Sequence, residues 1–120
     1  MSKKTVVTGV STNPERYSYK AVQSLLEHKH EVVPLGIKEG ELFGLHIRTD
    51  MPRIDNAHTV SMYVGKKNQD TLIPYIISLK PQRVIFNPGT ENEDFELLLA
   101  QHGIAYLRAC TLVLLSIEEY

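Results

Sequence analysis

Thr5-Val6-Val7-Thr8, followed by Gly9-Val10-Ser11-Thr12-Asn13-Pro14 and then by a helical pattern from Ser18, runs strand, glycine-bearing loop, helix. With that order α/β domains build a phosphate cradle, because the loop lets backbone approach an anion and the helix opens with free amides. The spacing is that of G-x-G-x-x-G, but Ser11 and Pro14 stand where the second and third glycines would be. The loop therefore resembles the dinucleotide fingerprint without matching it. A second strand, Glu31-Val32-Val33-Pro34-Leu35, should end in an acid about 20 residues past the loop if it held the ribose hydroxyls of NAD. Gly36-Ile37-Lys38 follows instead, and a lysine there suits a ribose that carries a phosphate.

Working outward, residues 18 to 29 read as an amphipathic helix, with Ala21, Val22, Leu25 and Leu26 on one face and Lys20, Gln23, Ser24 and Glu27 elsewhere. His28 and Lys29 offset the negative end of its dipole. From Gly36 to Arg53, glycines and Pro52 among polar residues predict a long loop with a short strand at Leu45 to Ile47. Thr59-Val60-Ser61-Met62-Tyr63-Val64 is the next strand, with Gly65-Lys66-Lys67-Asn68 as its exit. Leu72, Ile73, Ile76, Ile77 and Leu79 follow a helical period, in which Pro74 is tolerated only in the first turn. Arg83-Val84-Ile85-Phe86 is a strand ending in the turn Asn87-Pro88-Gly89, and Thr90-Glu91-Asn92-Glu93 has capping-box spacing for a helix closed by Gly103. Ile104 to Leu107 is a further strand; Thr111 to Ile117 fits a strand or a short helix.

Strands thus alternate with helices, which predicts a Rossmann-like, three-layer α/β fold: a mainly parallel sheet with helices on both faces. The right-handed crossover rule and a two-half layout lead us to expect the strand order three-two-one-four-five. The loops at Gly9 to Ser18, Gly36 to Gly44, Val64 to Asn68 and Asn87 to Glu91 should meet at the carboxyl ends of the strands.

The 120 residues suit one domain spanning 1 to 120. Thirteen basic and 14 acidic residues give a formal charge of -1, which removes the electrostatic footprint of a nucleic-acid binder. The one cysteine, Cys110, excludes an internal disulfide, and no apolar run approaches the roughly 20 residues that span a bilayer. Met1-Ser2-Lys3-Lys4 leads into the first strand without a signal-peptide pattern, so a soluble cytoplasmic protein is expected. His28, His30, His46, His58 and His102 are dispersed without metal-ligand spacing, and no metal is expected. Ser11 lacks the Gly-x-Ser-x-Gly elbow of an α/β-hydrolase.

Taken in order, Gly9-Val10-Ser11 with Pro14-Glu15-Arg16 and Ser18-Tyr19, Val32-Val33-Pro34 with Lys38, Gly44, Asn87-Pro88-Gly89 and Cys110 resemble the small CoA-binding Rossmann proteins. These are related to the nucleotide-binding domain that opens the succinyl-CoA synthetase α subunit. The resemblance spans nearly the whole chain. It implies that Gly9, Ser11, Pro14, Arg16, Ser18 and Tyr19 hold the pyrophosphate of CoA or an acyl-CoA. It places Lys38 at the ribose phosphate, and Val64, Pro88 and Gly89 beside the adenine and pantetheine. Two departures are visible: Gly36-Ile37 stands where relatives often have Asn-Pro, and Ser61-Met62-Tyr63-Val64 where many have an acidic and basic pair. Binding is implied more firmly than any reaction.

Each residue also has a plain structural reading. Gly9 and Ser11 make a tight turn, Arg16 and Lys38 are solvated cations, Ser18 is the best helix cap in its segment, and Tyr17 and Tyr19 pack at the helix start. Cys110 is either a reactive thiol near the CoA sulfur or an inert buried one. Two rival functions follow: an NADP-linked oxidoreductase, from the same missing acid and the same lysine, and a ligand-free interaction domain. A protein partner is not legible.

Overall fold

The computed structural model describes residues 2–120; Met1 lies outside the described residues. In chain order the elements are β1 (Thr5–Val7), α1 (Tyr17–Glu27), β2 (Val32–Pro34), β3 (Glu41–Leu42), β4 (Leu45–His46), β5 (Thr59–Met62), a 3-10 turn (Lys66–Asn68), α2 (Leu72–Leu79), β6 (Arg83–Phe86), α3 (Glu93–Gln101), β7 (Ala105–Arg108) and α4 (Thr111–Ser116). Five strands form one parallel sheet in the order β2-β1-β5-β6-β7, while β3 and β4 form a separate antiparallel hairpin.

Adjacent side chains on a strand point to opposite faces, and β1 uses both. Val6 joins Ile76, Phe95 and Leu99 in the core beneath α2 and α3. Val7 joins Val22, Leu25 and Leu115 in the core beneath α1 and α4. The result is the three-layer Rossmann-like arrangement expected, with helices on both faces. Phe86 and Phe95 meet edge to face at 5.5 Å. Burying each of these rings contributes about 1.5–3 kcal/mol.

The strand order differs from expectation. Sheet strands taken in sequence run two-one-three-four-five, because β5 lies against β1 and not beyond β2. All four residues of β5 are buried, and such a strand belongs in the middle of a sheet with both faces covered. Beyond β2 the edge is closed by a single bridge, in which the Arg48 amide donates to the Pro34 carbonyl and the Gly36 amide donates to Arg48, both at 3.0 Å. That bridge needs no apolar strand.

Two helix starts also differ. Ser18 does not cap α1; the cap position is Arg16, without a side-chain bond, and Ser18 is the helix's second residue. Asn13 closes the preceding bend instead, its side-chain oxygen accepting from the Glu15 amide at 3.0 Å and its carbonyl from the Arg16 amide at 3.0 Å. The capping box at Thr90 and Glu93 does not form either. Asn92 caps α3 by accepting from the Phe95 amide at 3.2 Å, while the Thr90 hydroxyl donates to the Asn87 carbonyl at 2.8 Å within the turn. Pro74 is the third residue of α2, where its missing N–H would have had no intrahelical acceptor. Thr111–Ser116 resolves as a helix.

The predicted strand at Leu45 becomes one arm of the β3–β4 hairpin. Phe43 and Gly44, at φ 51° and 79°, fill its two-residue turn, and two left-handed residues match the twist of paired strands. Phe43 then reaches the ring of Tyr19 at 5.0 Å, which ties the hairpin to α1.

Candidate functional site

The order in which successive strands are laid down reverses between the parallel strands β1 and β5, since β2 lies to one side of β1 and the remaining strands to the other. The carboxyl ends of these two strands therefore open a crevice, the place where such sheets bind ligands. Here the two exits touch. Gly9 has φ 69°, and a Cβ on it would come within 3.1 Å of the Tyr63 backbone and of Val64. Only glycine suits both the conformation and the approach.

A cleft of about 310 Å³ opens beside this contact. Gly9, Leu35, Gly36, Val64 and Leu72 contribute backbone and apolar wall, and Arg48 is the one charged residue among the described residues lining it. Among the described residues no acid lines it to bind a ribose hydroxyl pair. Gly36 is as constrained as Gly9: a Cβ there would meet the Val10 carbonyl oxygen at 2.5 Å.

On the bend before α1, Pro14 and Arg16 are exposed and Ser11 is half-buried. The Ser11 hydroxyl oxygen accepts from the Asn13 amide at 3.1 Å, and Val10 donates to Leu35 at 2.8 Å. With the Asn13, Glu15 and Arg16 amides used inside the bend, the donors left for an anion are the Ser11 and Thr12 amides and those of the first turn of α1. Ser18 in that turn is buried, and Tyr19 is half-buried against Phe43. Lys38 is exposed beyond Ile37 and does not line the cleft.

Pro88 lies in a neighbouring cavity of about 270 Å³ with Tyr17, Tyr63, Asn87 and Cys110. Gly89, beside it, is exposed. The Tyr63 hydroxyl is buried without a hydrogen-bond partner among the described residues, and burial pushes its phenol well above the usual range. Cys110 is half-buried at the start of α4.

Two buried amides hold these loops in place: Asn87, which the sequence marked only as part of a turn, and Gln69, which it did not mark. Asn87 donates to the Ser61 hydroxyl at 2.9 Å and the Met62 carbonyl at 2.8 Å, and accepts from the Thr111 amide at 2.8 Å. Gln69, fully buried, donates to the carbonyls of Val64 and Thr90, both at 2.8 Å, and accepts from Asn92 at 2.9 Å. Each ties three segments together at the strand ends. Asn87 reads from sequence as a polar residue just past β6 and Gln69 as one just past the 3-10 turn, and both are ordinary in loops.

A parallel sheet covered on both faces, with a glycine-floored cleft at its switch point, defines a Rossmann-like α/β protein. The chain belongs to the CoA binding domain family, whose sequence pattern matches residues 3–116. It is similar to an uncharacterized protein of known crystal structure at 44% identity and TM-score 0.98, over 100% of this chain and 99% of that one. A Thermus thermophilus protein, cell-free ID.343, shares the fold at 20% identity and TM-score 0.87, covering 99% of this chain and 91% of that one. The dinucleotide-forming acetyl-coenzyme A synthetase 1 of Ca. Korarchaeum cryptofilum, in complex with phosphate and ADP, shares it at 18% identity and TM-score 0.73. There the likeness covers 89% of this chain but 25% of the synthetase. No curated protein matched. Among the described residues, no helix is long and apolar enough to cross a membrane, and no group of three or more His, Cys, Asp or Glu is placed to hold a metal ion.

Proposed function

We propose that this chain is a binding module that holds CoA or an acyl-CoA by its phosphorylated ADP half and catalyses no reaction of its own. The observation that carries this reading is the cleft at the β1–β5 switch point, where Gly9 lets the two strand exits touch and where, among the described residues, the one charged lining residue is a cation. A pyrophosphate beside Gly9 and Ser11 meets the first-turn amides of α1, whose unpaired N–H groups favour negative charge. Pro14, Arg16, Ser18 and Tyr19 surround that position, with Arg16 adding a permanent charge. Lys38 adds positive potential at the ribose side. Val64 contacts the adenosine, while Pro88, Gly89 and the cavity at Cys110 flank the pantetheine arm. Membership in the CoA binding domain family supports the choice of ligand.

Thermal unfolding with and without CoA tests it. A ligand that binds only the folded state at 100 times its Kd stabilises by about 2.7 kcal/mol, an upward Tm shift of roughly 10 °C in a chain of this size. NADP is the discriminating competitor. A shift with NADP and none with CoA would replace this reading with the oxidoreductase one, and no shift with either would favour an interaction domain.

A further inference from the structure

Resting on the CoA reading, the geometry points to Arg48 as the residue that reads the phosphate on the ligand's ribose. Lys38, the residue next to this role by sequence, stays exposed on the bend after β2 and outside the cleft lining. Arg48 lines the cleft with Leu35, Gly36 and Ile37, on the side where a sheet of this kind receives the ribose.

Its backbone is fixed to the end of β2 by two 3.0 Å hydrogen bonds, one given to Pro34 and one received from Gly36. The neighbouring Ile47 is buried in the core, which anchors the same segment from the other side. A cation held this way loses less freedom on binding than a lysine on an open bend.

The guanidinium is also set in a two-pronged geometry. Its Nε and Nη2 donate to the two carboxylate oxygens of Asp50, at 3.0 Å and 2.7 Å. Asp50 thereby occupies the fork that a phosphate takes, since carboxylate and phosphate oxygens accept from arginine with the same spacing. The pair is half-exposed, so the exchange is cheap: a surface ion pair is worth little against a dianionic phosphate. Asp50 competes with the ligand for Arg48 and sets how strongly the phosphate must bind.

Calorimetric titration with CoA and 3′-dephospho-CoA tests this in the full chain, using Arg48→Gln, Lys38→Gln and Asp50→Asn. The expected result is a roughly tenfold or greater loss of CoA affinity in R48Q with 3′-dephospho-CoA changed less than about twofold, as removing one charge-assisted bidentate contact implies. K38Q should change either ligand by no more than about threefold, the scale of a screened surface charge. D50N, which removes the competing charge, should tighten CoA and leave 3′-dephospho-CoA unmoved. Equal affinity of the unmodified chain for the two ligands, or a K38Q loss larger than that of R48Q, overturns the assignment while the CoA reading stands. Absence of binding to both ligands by the unmodified chain overturns both.

Discussion

Replacing Gly36 by alanine probes the join between fold and site. The added Cβ would lie 2.5 Å from the Val10 carbonyl oxygen and 2.9 Å from the Ile47 side chain. A carbonyl of the β1 exit cannot swing aside like a flexible side-chain end, so one of the two strand exits must shift. Overpacking of this kind costs about 1–3 kcal/mol. The shift also strains the Val10–Leu35 bond at 2.8 Å and the Gly36–Arg48 bond at 3.0 Å. With about 1 kcal/mol for a hydrogen bond, the expected loss is roughly 3 kcal/mol, or about 12 °C in Tm for a chain this size. Circular dichroism during heating and urea titration gives both numbers. Two controls separate contact from conformation. Gly44 has φ 79° but nothing within 4 Å of an added Cβ. G44A should therefore cost only the left-handed penalty of about 1–2 kcal/mol. Gly65 has open space and φ −64°, ψ 154°. G65A should be neutral or stabilise by about 0.4–1 kcal/mol, because it restricts the unfolded chain. Stability of G36A within about 1 kcal/mol of G65A would refute the argument that the two exits are in backbone contact.

Asn87→Ala should cost about 3 kcal/mol in urea unfolding, because it leaves the Met62 carbonyl and the Thr111 amide buried without partners; a loss under about 1 kcal/mol would contradict that role. Acid should weaken the fold partly through His30, whose imidazole is held below its usual range by burial first and then by Lys3. Its Nδ1 accepts from the Lys3 amide at 2.9 Å, so protonation there breaks the contact. The unfolded chain takes up the proton near pH 6.5 and the folded chain only at lower pH. This contribution is thus complete above that value and is lost as pH falls below it. The urea midpoint of His30→Gln should fall less between pH 7 and pH 5 than that of the unmodified chain, and equal slopes would count against His30.

Alternation of apolar strands with amphipathic helices was enough to predict a parallel, three-layer fold, since burial periodicity is local and needs no partner to be visible. The tight turn at Gly9 and the absence of an acid after β2 were legible from motif spacing, which is also local. What the chain by itself left open were choices between competitors. Thr90 and Asn92, or Ser18 and Asn13, each offer a capping oxygen a few residues apart, and packing of the turn selects one. The place of β5 beside β1 follows from a strand buried at every position. No spacing rule shows that Arg48, in a loop 12 residues past Gly36 by number, closes the edge of β2 and enters the cleft. Nor does a local signal mark Gln69 or Asn87 as ties between loops. Their roles arise where segments far apart in sequence meet, and only the tertiary structure makes that meeting, because a buried polar group must find its partner wherever the folded chain brings one.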